Sequence, residues 1–385
     1  MDLSNWVGAW YTAPSRVLSA NMQGRTLRQI VHLHVGGEQL RVRLSNRYGD
    51  ESVTLASVCV GDVAGAPILS TKTRPVTFGG RPMLTLEPGQ EAVSDPVAFP
   101  VQALSDLAIS FFVERGECVT GHFSAQQTSY VSRLGDVTAL EVDAAFLAYP
   151  LLTTSWWLLT GIDVLPSTPL NAVVAFGSST TDGFGSTTNA NKRWPDYLAR
   201  RLQEAGGQRV MSVLNAGLSG NQLTGEFPPS YEGEPSHLFG EPGIQRMAWD
   251  VLAQPGATDL IVHIGSNDLR ADVPAATVIE ALHRVAKQAR QTYRRVFGTT
   301  ILPGGYTPEQ QEQRLLVNAW LLEQGSQCFD AVFDFATPLC SPDDAARLHP
   351  AYDSGDGVHP NDDGYRRMAE AVNIALLTGS PERTA

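Results

Sequence analysis

The chain has 385 residues, 43% hydrophobic and 18% charged, with 40 acidic side chains against 28 Lys and Arg. That composition belongs to a soluble globular protein of about two domains and excludes disordered and fibrous classes. A formal charge of −12 offers no basic face for nucleic acid or an anionic membrane, so small neutral molecules are the expected partners.

The opening MDLSNWVGAWYTAP lacks a basic stretch followed by a long apolar core and does not read as a secretory signal peptide. The expectation is a cytoplasmic protein, or an exported one whose leader has been removed. Residues Val31, Leu33 and Val35 alternate with polar ones, Gly36-Gly37 supplies a turn, and Leu40, Val42 and Leu44 alternate again, which predicts a hairpin. His32 and His34 share one face of the first of these strands and read as a solvated strand face rather than a metal pair. Short apolar runs follow at 53–60, 76–86 and 107–113, separated by Gly, Pro and Asp and without helical period. The uncharged stretch 144–162 is interrupted by Pro150 and Gly161 and reads as two buried strands around a bend, not a membrane span. Its Trp156 and Trp157 must face opposite sides of their strand. Residues 1–165 are therefore expected to form an all-β sandwich of jelly-roll type.

The proline-containing connector VLPSTPLN at 164–171 marks the boundary, and 166–385 form the second domain. There the texture alternates: strands at 170–176, 209–214, 258–264, 295–302 and 331–335, helices at 194–205, 278–293, 311–324 and 364–377. Strands alternating with helices imply a parallel sheet covered on both faces, with function at the carboxyl ends of the strands.

Just beyond those strand ends stand Gly177-Ser178-Ser179, then Asn215–Asn221 (NAGLSGN), then Gly265-Ser266-Asn267-Asp268, and ahead of the last helix Asp356-Gly357-Val358-His359. A serine hydroxyl needs a base, and a neutral histidine oriented by a carboxylate three residues away can serve as one. Gly220 and Asn267 supply the donors that a tetrahedral oxyanion requires. Each residue also has a structural reading: Ser179 as a helix N-cap, Gly220 as a positive-φ turn, Asn267 as an Asx-turn, His359 as an ordinary loop residue. Asp268 reads as structural. Arg193-Trp194 reads as helix packing, with the border of the acyl or leaving-group pocket as the alternative, and His263 as a core histidine. Four cysteines without CxxC spacing suggest neither zinc nor a redox pair; they read as buried thiols, with a Cys328–Cys340 bridge as the alternative in an exported protein. The acidic group Asp353, Asp356, Asp362 and Asp363 lacks the calcium-loop pattern, so no metal and no cofactor are expected.

FGSST at 176–180, NAGLSGN at 215–221, GSND at 265–268 and DGVHPN at 356–361 resemble the four ordered blocks of the SGNH, or GDSL-type, hydrolases. The resemblance implies a flavodoxin-like three-layer α/β/α fold and metal-free ester hydrolysis. It implies Ser179 as nucleophile, Gly220 and Asn267 as oxyanion donors, His359 as base and Asp356 as its partner. RLSNRYG at 43–49 resembles the β-domain that precedes the hydrolase in two-domain bacterial members. Ser178 departs from the pattern by standing where the family usually has aspartate. The α/β-hydrolase elbow GxSxG is not met, because Asn221 occupies its last position. The expected activity is a serine esterase for short-chain, acetyl-type esters, including those of carbohydrates. The alternatives are an acyltransferase using the same acyl-enzyme and a carbohydrate-binding protein with impaired catalysis.

Overall fold

A computed structural model describes residues 5–66, 68–140, 146, 151–225, 230–231 and 234–377. They fall into two compact units, Met1–Thr168 and Pro169–Ala385.

The first unit is all-β and its strand pairs are antiparallel. Its main strands are β1 (Arg25–Leu33), β2 (Gln39–Ser45), β3 (Val53–Gly65), β4 (Ser105–Arg115), β5 (Ser129–Leu134) and β6 (Leu159–Leu165). The order β5-β1-β4-β3 forms the centre of the largest sheet, while β2 lies beside β6 in another. The expected hairpin across Gly36-Gly37 is therefore overturned, since β1 pairs with β4 and β5, and β2 pairs with β6. At the turn the Gly37 N–H donates to Val101 O at 3.1 Å and the Glu38 N–H to Leu165 O at 3.0 Å, carrying the chain from one sheet to the other. Alternation cannot distinguish the two outcomes, because either way every second side chain is apolar. The run at 76–86 yields a strand only at Leu84–Leu86. Before it, Asp95 gathers the Thr77 hydroxyl and the N–H groups of Gly79 and Gly80 into a turn.

The solvated reading of His32 and His34 also fails. His32 faces Asp106 across the β1–β4 register, with Nδ1 2.7 Å from Oδ1, and His34 is buried beyond the strand end. Trp156 and Trp157 are both buried. All four cysteines are free, so the Cys328–Cys340 alternative is not realised; Cys59 and Cys118 are buried as expected, but Cys328 and Cys340 are only half-buried. Among the described residues no helix is long and apolar enough to cross a membrane.

The second unit is built on strands β7 (Ala172–Gly177), β8 (Ser212–Gly217), β9 (Ala257–His263), β10 (Arg295–Thr299) and β11 (Ala331–Phe333). The sheet is parallel with order β8-β7-β9-β10-β11, the flavodoxin-like 2-1-3-4-5 arrangement. All six residues of β7 are buried, as expected for a parallel strand covered on both faces. The covering helices include α1 (Ser179–Asp182), α2 (Trp194–Ala205), α3 (Gly243–Asp250), α4 (Ser266–Arg270), α5 (Ala275–Ala289), α6 (Pro308–Gln324) and α7 (Asp362–Ala371). α2 begins where the Asp196 carboxylate accepts the Arg193 N–H, and it buries Trp194, Leu198 and Leu202. Each buried leucine contributes about 1.5–3 kcal/mol of apolar transfer. β8 starts later than the periodicity suggests, because Gly206 and Gly207, both at positive φ, lead into a 3-10 turn at Gly207–Arg209. Strand order reverses between β7 and β9, so the crevice at their carboxyl ends is where this topology opens a site.

Candidate active site

Ser179 opens α1 directly after β7, and the preceding Ser178 is the cap residue but makes no side-chain cap bond. Ser179 is therefore not an N-cap. Its Oγ lies 2.9 Å from His359 Nε2, and His359 Nδ1 lies 2.6 Å from Asp356 Oδ2. An ionised carboxylate can only accept, so Nδ1 carries the imidazole proton and Nε2 offers its lone pair to the serine hydroxyl. Asp356 Oδ1 also accepts the N–H groups of Val358 and His359, both at 2.8 Å. Partial burial opposes the Asp356 charge, but the bonds from the His359 ring and these two N–H groups outweigh it and hold the carboxyl well below the usual carboxylate range. The loop is fixed in turn by Asp353, which accepts from Gly355 and Gly357, and by Asn361, which caps α7 through Gly364 and donates to Ala351 and Asp353.

Gly220 has φ +76°, and a Cβ there would run into the Phe239 ring. Side chains are thus excluded by conformation and by space together. Asn267 lies in α4 and donates one amide hydrogen to Asn221 O at 2.9 Å, leaving the other for a ligand. Asp268 ties α4 to the glycine loop by accepting from Leu223 N, Thr224 N and Thr224 Oγ1 at 2.7–2.8 Å, which is its structural role. Asp182 ties α1 to the same loop through the N–H and hydroxyl of Ser219. A buried carboxylate thus braces the serine turn, contributed by position 182 rather than 178. The N–H groups of Ser179 and Gly220 have no acceptor among the described residues.

Sequence reasoning missed Arg246. Its guanidinium, buried over the Phe176 ring, donates to Gly177 O at 2.8 Å, Ala216 O at 3.0 Å and Asn221 Oδ1 at 2.8 Å. It pairs with Asp250 one turn along α3 at 3.0 Å. One side chain therefore joins the ends of the two strands that precede the serine and glycine loops. Arg193 and Trp194 are packing residues, Trp194 lying against Phe335. The remaining acidic group is engaged by its neighbours: Asp362 holds Lys192 and Thr187, and Asp363 holds Arg366.

A family profile for GDSL-like lipases and acylhydrolases matches residues 175–367, half of the chain. The chain belongs to this family. No curated protein is significantly similar to it. Among solved structures, this GDSL-like hydrolase is similar to a candidate G-D-S-L lipolytic protein from Desulfitobacterium hafniense, at 24% identity over 54% of this chain and 99% of the other, with TM-score 0.42. It is also similar to a carbohydrate acetylesterase from Sinorhizobium meliloti, at 15% identity over 54% and 99%, with TM-score 0.39. An aryl esterase from M. smegmatis matches at 15% identity over 54% and 98%, with TM-score 0.39.

His263, at the end of β9, sits below the site. Its Nδ1 is 2.7 Å from the Thr299 hydroxyl, which donates onward to Val262 O, so the proton of that contact is on Nδ1. Burial lowers its pKa to about 4. The unfolded chain takes up this proton near pH 6.5 and the folded chain only near 4. Stability therefore falls as pH drops through that window, by roughly 3 kcal/mol, and this loss levels off below it. Urea titrations of wild type and His263→Asn across pH 7 to 4 should show a flatter pH dependence in the variant, by about that amount.

Proposed function

We propose that the chain is a serine esterase that hydrolyses short-chain acyl esters through an acyl-enzyme on Ser179. The observation that carries this reading is the relay from Ser179 through His359 to Asp356, with both contacts at hydrogen-bond distance. As Ser179 Oγ bonds to the ester carbonyl carbon, its proton passes to His359 Nε2 and the Asp356 carboxylate stabilises the imidazolium. The carbonyl oxygen takes the electron pair and accepts from the N–H groups of Ser179 and Gly220 and the second amide hydrogen of Asn267. Collapse of this intermediate breaks the bond to the leaving alcohol, which receives the proton from Nε2. Water then repeats the sequence on the acyl-enzyme and frees the acid.

Short acyl groups are favoured by an acidic chain without a long apolar lid segment, and acetylated carbohydrates by the all-β unit ahead of the hydrolase. The intact relay speaks against an impaired site despite Ser178. Removing one oxyanion donor by Asn267→Ala should lower kcat about 100- to 1000-fold with little change in KM, as read by steady-state hydrolysis of p-nitrophenyl acetate. The reading as a whole is tested by labelling with a fluorophosphonate and mapping the adduct, alongside acetyl, butyryl and palmitoyl p-nitrophenyl esters. Modification at Ser179 with preference for the short esters is expected. Modification elsewhere, or preference for palmitoyl, overturns it.

A further inference from the structure

We infer that Phe184 is the platform for the leaving group and selects esters whose alcohol is a flat-faced ring, an aryl or pyranose ring, over open-chain alcohols. This rests on the reading of Ser179 and His359 as nucleophile and base. Phe184 is a large apolar side chain left 41% exposed, and its ring lies 4.7 Å from the imidazole of His359, tilted by 51°. The placement is built: the Phe184 N–H donates to Ser179 O at 3.0 Å, and the buried Tyr365 hydroxyl donates to Phe184 O. Gly183, in the left-handed region at φ +102°, turns the chain out of α1 to put the ring there.

Both imidazole nitrogens are committed, Nδ1 to Asp356 and Nε2 to Ser179, so the tilted Phe184 ring packs on the imidazole without competing for either. The oxygen that leaves must take its proton from Nε2 and therefore comes within about 3 Å of it. The group attached to that oxygen then comes within reach of the exposed Phe184 ring, which packs on the same imidazole, whereas the carbonyl oxygen is assigned to Gly220 and Asn267. A ring alcohol can stack its face on Phe184, and an ethyl group gains little there. The same surface must serve the reverse half-reaction. When an alcohol replaces water, its oxygen forms the new C–O bond to the acyl carbon, the bond to Ser179 Oγ breaks, and the alcohol's proton passes through Nε2 to Oγ. Cyclic acceptors should therefore also be favoured over open-chain ones.

The test compares kcat/KM for phenyl acetate, an acetylated methyl glucoside and ethyl acetate in wild type, Phe184→Leu and Phe184→Trp. Leucine keeps bulk against the imidazole and removes the flat face. We expect the ratio of ring ester to ethyl acetate to fall about three- to tenfold in Phe184→Leu and to be kept in Phe184→Trp. A larger fall for the glucoside assigns the platform to sugar faces, and a larger fall for phenyl acetate assigns it to aryl rings; either supports the inference. Partitioning of the acetyl-enzyme between benzyl alcohol and ethanol should shift in the same sense. Equal losses on all three esters, or an unmoved ratio, overturn the inference and assign Phe184 to holding His359. If instead Ser179→Ala retains wild-type activity, the underlying esterase reading is what has failed.

Discussion

Ser179→Ala is expected to lower kcat/KM for p-nitrophenyl acetate by about 10⁴- to 10⁶-fold while changing stability by only about 1 kcal/mol. The asymmetry follows from what the hydroxyl touches. Its partner in the folded protein is His359 Nε2, on a loop that Asp356, Asp353 and Asn361 hold independently of the serine. Removing it leaves the turn intact, because α1 is closed by Thr181 and Asp182 N–H groups donating to Ser178 O and by Gly183 N–H donating to Ser179 O. His359→Ala should fall to a similar floor, and the double variant no further, since the two act as a unit. Asp356→Asn should cost about 10⁴-fold, because an amide that donates toward Nδ1 turns the imidazole proton to Nε2, where it faces the serine. The ground-state charge of Asp356 does not vary across an ordinary assay range, since its carboxyl is held well below the usual carboxylate range. Activity matching wild type in Ser179→Ala, with melting curves superimposed, would sink the assignment.

The parallel sheet was legible because β7 and β9 are apolar runs that end in glycine-containing turns, and because α2 declares its start with Trp194-Pro195 and Asp196. The Asp356–His359 contact was legible for another reason: the two are three residues apart, so local geometry lets the carboxylate reach Nδ1, whereas the meeting of His359 with Ser179, 180 residues away, was suggested by the resemblance of the ordered blocks. Three things were not. The path at Gly36-Gly37 depends on which strand β2 meets, and its partner β6 lies more than a hundred residues away. The pairing of His32 depends on Asp106 of β4, 74 residues away, and the burial of His34 was not visible in the alternation of its own strand. α3 is only eight residues long, starts with glycine after Pro242 and carries Arg246, which in a sequence looks like a surface charge. A buried arginine has no local signature, because the carbonyls that satisfy it belong to other strands.

That arginine carries the second large effect. Arg246→Met removes the donors to Gly177 O, Ala216 O and Asn221 Oδ1 and takes the cation away from Asp250, whose carboxylate is almost wholly buried. Breaking a buried pair from one side should destabilise the fold by about 3–5 kcal/mol. For a domain of this size that lowers Tm by about 10 °C or more. Loss of activity in that variant alone would be ambiguous, so the informative one is Arg246→Met with Asp250→Leu. With both charges gone and apolar volume in their place, much of the stability should return. The three acceptors still lack their donors, leaving the Gly177 and Asn221 segments free to shift. Since a displacement of about 1 Å at reacting groups can cost a hundredfold, kcat in the double variant should stay about 10- to 100-fold below wild type, with KM nearly unchanged. Arg246→Lys offers donors from a single point rather than a planar fork and should fall between. Urea titration and steady-state kinetics on the same preparations separate the two roles. A double variant that regains stability and full kcat together would show that Arg246 holds the fold without setting the geometry of the site.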